Sequence, residues 1–259
     1  MCYQSRMLNM ISHGTPTDRL PLLIVHGLYG SARNWGVVAK KLSEHRQVFT
    51  VDNRNHGESP HKNSHSYHDL AGDLAEVLQQ IGPADVMGHS MGGKAAMLLA
   101  TQRSALVNRL IVADIAPVAY THTQLPFIHA MRAVDLDRVE KRSDALAMLE
   151  AAGVDDATLR SFFTQSLDLK SKTWRLNLDV LEAEMPKIMG FPQDVTGVFQ
   201  APTLFLSGGN SDYVLPDHRP KIRDLFPKAA FVKISGAGHW LHAEKPAEFI
   251  ATVDAWMKR

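Results

Sequence analysis

The chain has 259 residues, of which 45% are apolar and 21% charged, a balance that fits one large folded domain and excludes a disordered or low-complexity chain. Lys and Arg number 28 against 27 Asp and Glu, a formal net charge of +1 without a long run of one sign, which argues against nucleic acid or an anionic membrane as partner. Cys2 is the single cysteine, so no internal disulfide, zinc cluster or other metal or cofactor site is expected, and a reducing compartment, the cytoplasm, is the natural reading.

Residues 1–10 lack the apolar stretch of a secretory signal, and no apolar run approaches the roughly 18 residues of a membrane span. Apolar runs at 20–25 and 47–52 read as strands, with a helical stripe of Trp35, Val38 and Leu42 between them. A second stripe follows in Leu70, Leu74, Leu78 and Ile81, and then strand-like runs at 85–88 and 109–114. Between Pro117 and about Gln200 the alternation stops, and the residues read as several helices with no convincing strand. It resumes with runs at 203–207 and 231–234, and a last helix near Pro246 turns Phe249, Ile250, Val253 and Trp256 inward. The pattern predicts an α/β fold: a mainly parallel sheet with helices on both faces. Residues 1–117 and 201–259 form the expected core and 118–200 a helical cap, or alternatively a helical subdomain with no substrate role.

The strongest local signal is Gly88-His89-Ser90-Met91-Gly92-Gly93, placed after a strand and at the opening of a helix. A serine on such a tight turn needs small neighbours, because flanking side chains would clash. A bare G-x-S-x-G occurs by chance in about one chain in ten of this length, so the flanking elements carry the argument. Ser90 is then the candidate nucleophile, and the Met91 amide at a helix start can donate to a developing oxyanion. A second donor is expected from the amide of Leu28, in the glycine-rich turn His26-Gly27-Leu28-Tyr29-Gly30 after the first strand.

A hydroxyl needs a base, and the chain order expected of this arrangement is serine, acid, histidine. His239 stands apart among 13 histidines because Ser235-Gly236-Ala237-Gly238-His239-Trp240 sets it on a glycine-rich loop after the last strand. His89 and His242 read as structural neighbours. Two acids compete. In the loop after the 203–207 strand an aspartate is expected three residues before Val214, but Ser211 holds that position and Asp212 is displaced by one. Asp114, at the end of the 109–114 run, can reach a histidine from the other side and is preferred, with Ser211 adding a hydrogen bond to it or to the histidine. Residues 52–59 read as polar bracing for the loops around the nucleophile, and Trp174 and Arg175 as candidates to line the substrate pocket.

On these residues the chain resembles the α/β-hydrolase family, and within it the YbfF-type bacterial esterases and the related mitochondrial α/β-hydrolase domain-containing proteins. The likeness rests on His26-Gly27-Leu28, residues 52–59, 88–94, 114–117, 174–177 and 236–246, and Gly208-Gly209-Asn210-Ser211. It implies hydrolysis of short acyl esters and of acyl-CoA thioesters, a cap bounding the pocket, an acid at Asp114 and a serine at Ser211; Asp212 departs from the pattern. A perhydrolase or C–C bond hydrolase would use the same three residues. A serine at position 90 argues against dehalogenases and most epoxide hydrolases of this fold, which use aspartate. A ligand-binding protein on a hydrolase scaffold is the alternative of a different class.

Overall fold

The computed structural model describes residues 7–258; Cys2 lies outside them. The chain runs through β1 (Met10–His13), β2 (Leu22–Val25), α1 (Gly36–Leu42), β3 (Val48–Val51), α2 (Tyr67–Ile81), β4 (Ala84–His89), α3 (Met91–Gln102) and β5 (Val107–Ala113). A connecting segment follows with α4 (Leu125–Arg132), α5 (Arg142–Ala151), α6 (Ala157–Thr164), β6 (Leu167–Asp168), β7 (Thr173–Trp174), α7 (Leu178–Ala183) and α8 (Met185–Met189). The end of the chain supplies β8 (Thr203–Gly208), α9 (Arg219–Leu225), β9 (Ala229–Ile234), α10 (Leu241–Glu244) and α11 (Pro246–Met257).

The strands β1 to β5, β8 and β9 form one sheet in the order β1-β3-β2-β4-β5-β8-β9. Every neighbouring pair is parallel except β1 with β3. Central strands bury both faces, which is why they read as continuous apolar runs. Alternate residues point to opposite layers: Leu22, Ile24, Met87 and Ile111 share a core with Val38 and Leu42 of α1 and Phe249 and Val253 of α11. Leu23, Val25, Val86 and Val112 share the other with Leu70, Leu74 and Leu78 of α2 and Met97 and Leu98 of α3. Each of these side chains contributes roughly 1.5–3 kcal/mol by leaving water. The start of α2 is fixed by a capping box, in which Ser66 Oγ accepts from the Asp69 amide at 3.2 Å and Asp69 Oδ2 accepts from the Ser66 amide at 3.0 Å.

The structure adds one strand that no apolar run announced and changes three expectations. Strand β1 is an edge strand that keeps no fully buried residue, so it carries no apolar run to read. The connecting segment holds a strand pair after all, β6 with β7, in which Leu167 faces Trp174 and Asp168 faces Thr173; two-residue strands are too short for a period. On α11 the buried positions are Phe249, Val253 and Met257, while Ile250 and Trp256 lie at the edge of that core. Strand β5 closes at Ala113, and Asp114 is the first residue beyond it, at φ 51°.

Candidate active site

Ser90 occupies the one residue between β4 and α3, at φ 53° and ψ −122°. A non-glycine residue there costs about 1–3 kcal/mol and persists where the surroundings over-determine it. They do: its amide donates to the Ala113 carbonyl at 3.0 Å, and its carbonyl accepts from the Lys94 amide at 3.1 Å. The turn also needs bare backbone. A Cβ on Gly88 would overlap the Gly92 carbonyl, and one on Gly92 would overlap the carbonyls of Val25 and His26. The serine side chain is thereby presented at the carboxyl end of the central strands, where ligands bind in open α/β sheets.

His239, on the loop after β9, brings its Nε2 to 3.0 Å from Ser90 Oγ. Its Nδ1 lies 2.8 Å from Oδ2 of the fully buried Asp114. With Nδ1–H donating to the carboxylate, the lone pair on Nε2 is left facing the serine hydroxyl. Asp114 accepts two more hydrogen bonds, from the Gly208 amide at 2.9 Å and from Ser211 Oγ at 2.5 Å. Three hydrogen-bond partners on one carboxylate fix its position. Asp212, adjacent to Ser211, is exposed. His89 supports the histidine from below, its Nε2 lying 2.8 Å from the His239 carbonyl, and His242 stacks on Trp35 with ring centroids 4.2 Å apart.

The loop after β2 forms the opposite wall, braced by buried histidines. His26 donates from Nδ1 to the Gly27 carbonyl at 2.7 Å and accepts at Nε2 from the Asn53 amide at 2.9 Å. His56 donates to the Arg54 carbonyl at 3.0 Å and accepts from the Tyr29 amide at 3.2 Å. Burial holds both imidazoles below their usual range, far below it for His56, so both accept at Nε2 as neutral rings. Asp52 completes the brace: Oδ1 accepts from the Ala32 amide at 2.7 Å, and Oδ2 from the Glu58 amide at 2.9 Å. The amides of Leu28 and Met91 have no acceptor among the described residues, and both residues line the cavity in front of Ser90.

That cavity measures about 260 Å³. Core residues such as Trp35 and Tyr67 form one side, and Phe127, Phe163, Ile188 and Met189 of the connecting segment form the other. Residues 22–252 match the alpha/beta hydrolase family. The chain belongs to that family. It is 43% identical over 250 residues to the mouse (Mus musculus) sn-1-specific diacylglycerol lipase ABHD11, covering 92% of this chain and 81% of the relative. It is 37% identical over 246 residues to esterase YbfF of Escherichia coli (strain K12), covering 92% of each. A solved marine microorganism esterase superposes with a TM-score of 0.90 at 36% identity, covering 96% of this chain and 98% of that one. The protein is a hydrolase of the esterase and lipase class.

In this hydrolase Trp174 and Arg175 do not line the cavity, contrary to expectation. Trp174 donates from Nε1 to the Met131 carbonyl at 3.0 Å, inside the connecting segment. The Arg175 guanidinium pairs with Glu58 and, at 2.8 Å, with Asp168. Both are held by these partners outside the cavity. Lys94 and Tyr213, which sequence reading passed over, do line it. Buried Lys94 donates to the carbonyls of Met189 at 3.1 Å and Gly190 at 2.5 Å and lies over the Tyr120 ring. Burial lowers its ammonium to about 7. A charged residue inside the apolar stretch of 91–100 was the available signal for Lys94; Tyr213 had none.

Proposed function

We propose that the protein is a serine esterase that transfers the acyl group of a short carboxylic ester to Ser90 and then to water. One observation carries this reading: the unbroken hydrogen-bonded run Asp114–His239–Ser90 opens on a mainly apolar cavity. Ser90 Oγ adds to the ester carbonyl carbon as His239 Nε2 takes the hydroxyl proton. Asp114 holds the tautomer and stabilises the imidazolium. The Leu28 and Met91 amides receive the oxyanion. The imidazolium returns its proton to the departing alcohol, and water, activated by the same base, releases the acid and regenerates Ser90.

The segment 118–200 acts as a cap in this reading, because its side chains close the cavity. A volume of about 260 Å³ lies below the roughly 300–1,000 Å³ typical of small-molecule sites, which supports short acyl groups. The names of the relatives, a lipase and an esterase, fit ester cleavage. A thioester carbonyl meets the same nucleophile, so acyl-CoAs belong in the assay.

The test is a panel of p-nitrophenyl esters and acyl-CoAs of graded length, with wild type beside Ser90→Ala. Turnover is expected to peak at short acyl chains and to fall at least about a thousandfold in the variant, and a serine-reactive phosphonate should label wild type alone. Equal or better turnover of long-chain esters would remove the cap-limited pocket, and normal turnover in Ser90→Ala would remove the acyl-enzyme.

A further inference from the structure

Tyr213 lies on the loop after β8, two residues past Ser211. Its ring stacks on the His239 imidazole with centroids 3.9 Å apart and planes 20° from parallel. His89 and Trp240 also meet that imidazole, but tilted by 42° at 4.8 Å and by 74° at 5.4 Å. Among the described residues, Tyr213 alone lies flat on it. A flat contact restrains the imidazole without competing for Nδ1 or Nε2, both of which are engaged with Asp114 and Ser90. It also suits both charge states, since an aromatic face attracts the cationic ring that forms during acyl transfer.

The tyrosine is itself gripped from the connecting segment. His122 Nε2 lies 2.9 Å from its hydroxyl, Gln124 Nε2 donates to that hydroxyl at 3.5 Å, and Tyr120 Oη donates to its carbonyl at 2.7 Å. Its amide donates to Ser211 Oγ at 3.3 Å, the same hydroxyl that donates to Asp114. One residue, through its side chain and its backbone, thus joins the first residues of the connecting segment to the acid and base of the core.

We propose that Tyr213 is a positioning residue: its ring holds His239 in line with Ser90, and its hydroxyl makes that hold depend on the seating of residues 120–124. The proposal rests on the reading of Ser90 and His239 as nucleophile and base. Displacement of a base by a fraction of an ångström costs turnover more than binding.

The experiment compares kcat and KM on one short p-nitrophenyl ester for wild type, Tyr213→Leu, Tyr213→Phe, the pair His122→Ala/Gln124→Ala, that pair combined with Tyr213→Phe, and Ser90→Ala, with folding checked by thermal melting. Tyr213→Leu is expected to lower kcat about 10- to 100-fold with KM within about twofold. Tyr213→Phe, which keeps the ring, should recover kcat to within about threefold of wild type, and the His122/Gln124 pair should match it and add nothing when combined with it. A kcat in Tyr213→Leu within about twofold of wild type, a loss confined to KM, or equal damage from Phe and Leu would each overturn the proposal. Ser90→Ala keeps the two readings apart. If it retains wild-type turnover, the nucleophile assignment fails whatever Tyr213 does; if it is inactive while Tyr213→Leu has full kcat, the Tyr213 proposal fails by itself.

Discussion

Two groups of histidines flank Ser90, and they differ in what holds their second nitrogen. On one side His26 and His56 give both ring nitrogens to backbone groups, and His65 sits between Asn55 at 3.2 Å and the Met91 sulfur at 3.3 Å. On the other side His239 has a buried carboxylate on Nδ1, and its side chain keeps 14% exposure toward the cavity. The same side chain is a fixed neutral post in the first group, and at His239 it takes the place of the base in the proposed mechanism. Its partner and its access decide the task, and its sequence neighbours do not.

The sharpest break in this comparison comes from the carboxylate. Asp114→Asn should cut turnover about ten-thousandfold with little change in affinity, because the amide no longer selects the tautomer that leaves Nε2 free. Asp212→Asn should stay near wild type. Purified variants assayed on one ester decide it: severe loss at position 212 with near-normal activity at 114 would reverse the assignment, and equal losses would mean a shared role.

A smaller effect is expected among the posts. His56→Ala leaves the buried Tyr29 amide without its acceptor, at a cost of about 1–3 kcal/mol in stability. The adjoining Leu28 amide then loses its fixed aim, and kcat should fall by about 10- to 100-fold, less than for outright removal of an oxyanion donor. Denaturant melts and steady-state kinetics measure the two; unchanged kcat in a destabilised protein would limit His56 to folding.

Acid sensitivity comes from two buried histidines. Burial lowers His65 and His242 to about 3 from 6.5. Between those values the unfolded chain binds protons that the folded chain refuses, so stability is intact above about pH 6.5 and falls as pH drops toward 3. His242→Phe, which preserves a ring against Trp35, should flatten the acid limb of Tm against pH. An unchanged slope would mean that His242 escapes burial before it titrates.

The opposite limb is expected from Lys94. Its folded value near 7 lies below its ordinary 10.5, so between about pH 7 and 10.5 the unfolded chain holds the extra proton and stability rises with pH. Lys94→Met should remove that alkaline gain. Parallel Tm profiles for the two proteins across this range would contradict it.

Legibility followed burial and spacing. Strands β2 to β5 were readable because both faces are covered, whereas β1, exposed at the sheet edge, and the two-residue β6 and β7 present no pattern. Ser90 announces itself through glycines that the backbone contacts at 88 and 92 require. The pairing of His239 with Asp114 spans 125 residues, and only the register around Val214 hinted at it. Trp174 and Arg175 misled because a side chain's type does not say which way it points: their partners are Met131, Glu58 and Asp168. Tyr213 gains its place from a stack across two loops, which no local spacing encodes.

The seam between the connecting segment and the 52–59 loop bears on any attempt to exchange parts. Arg175 pairs with Glu58, Leu176 bridges to His56, and the Asn177 amide donates to the Asn55 carbonyl at 3.0 Å. Asn55 sits at φ 66°, next to the histidine that steadies the Tyr29 amide. A chimera that swaps residues 118–200 for foreign helices therefore also removes the outside support of His56 and, through it, of the Tyr29 amide. Retaining 174–177 from this chain, or redesigning 52–59 to match the donor, keeps that support in such an exchange.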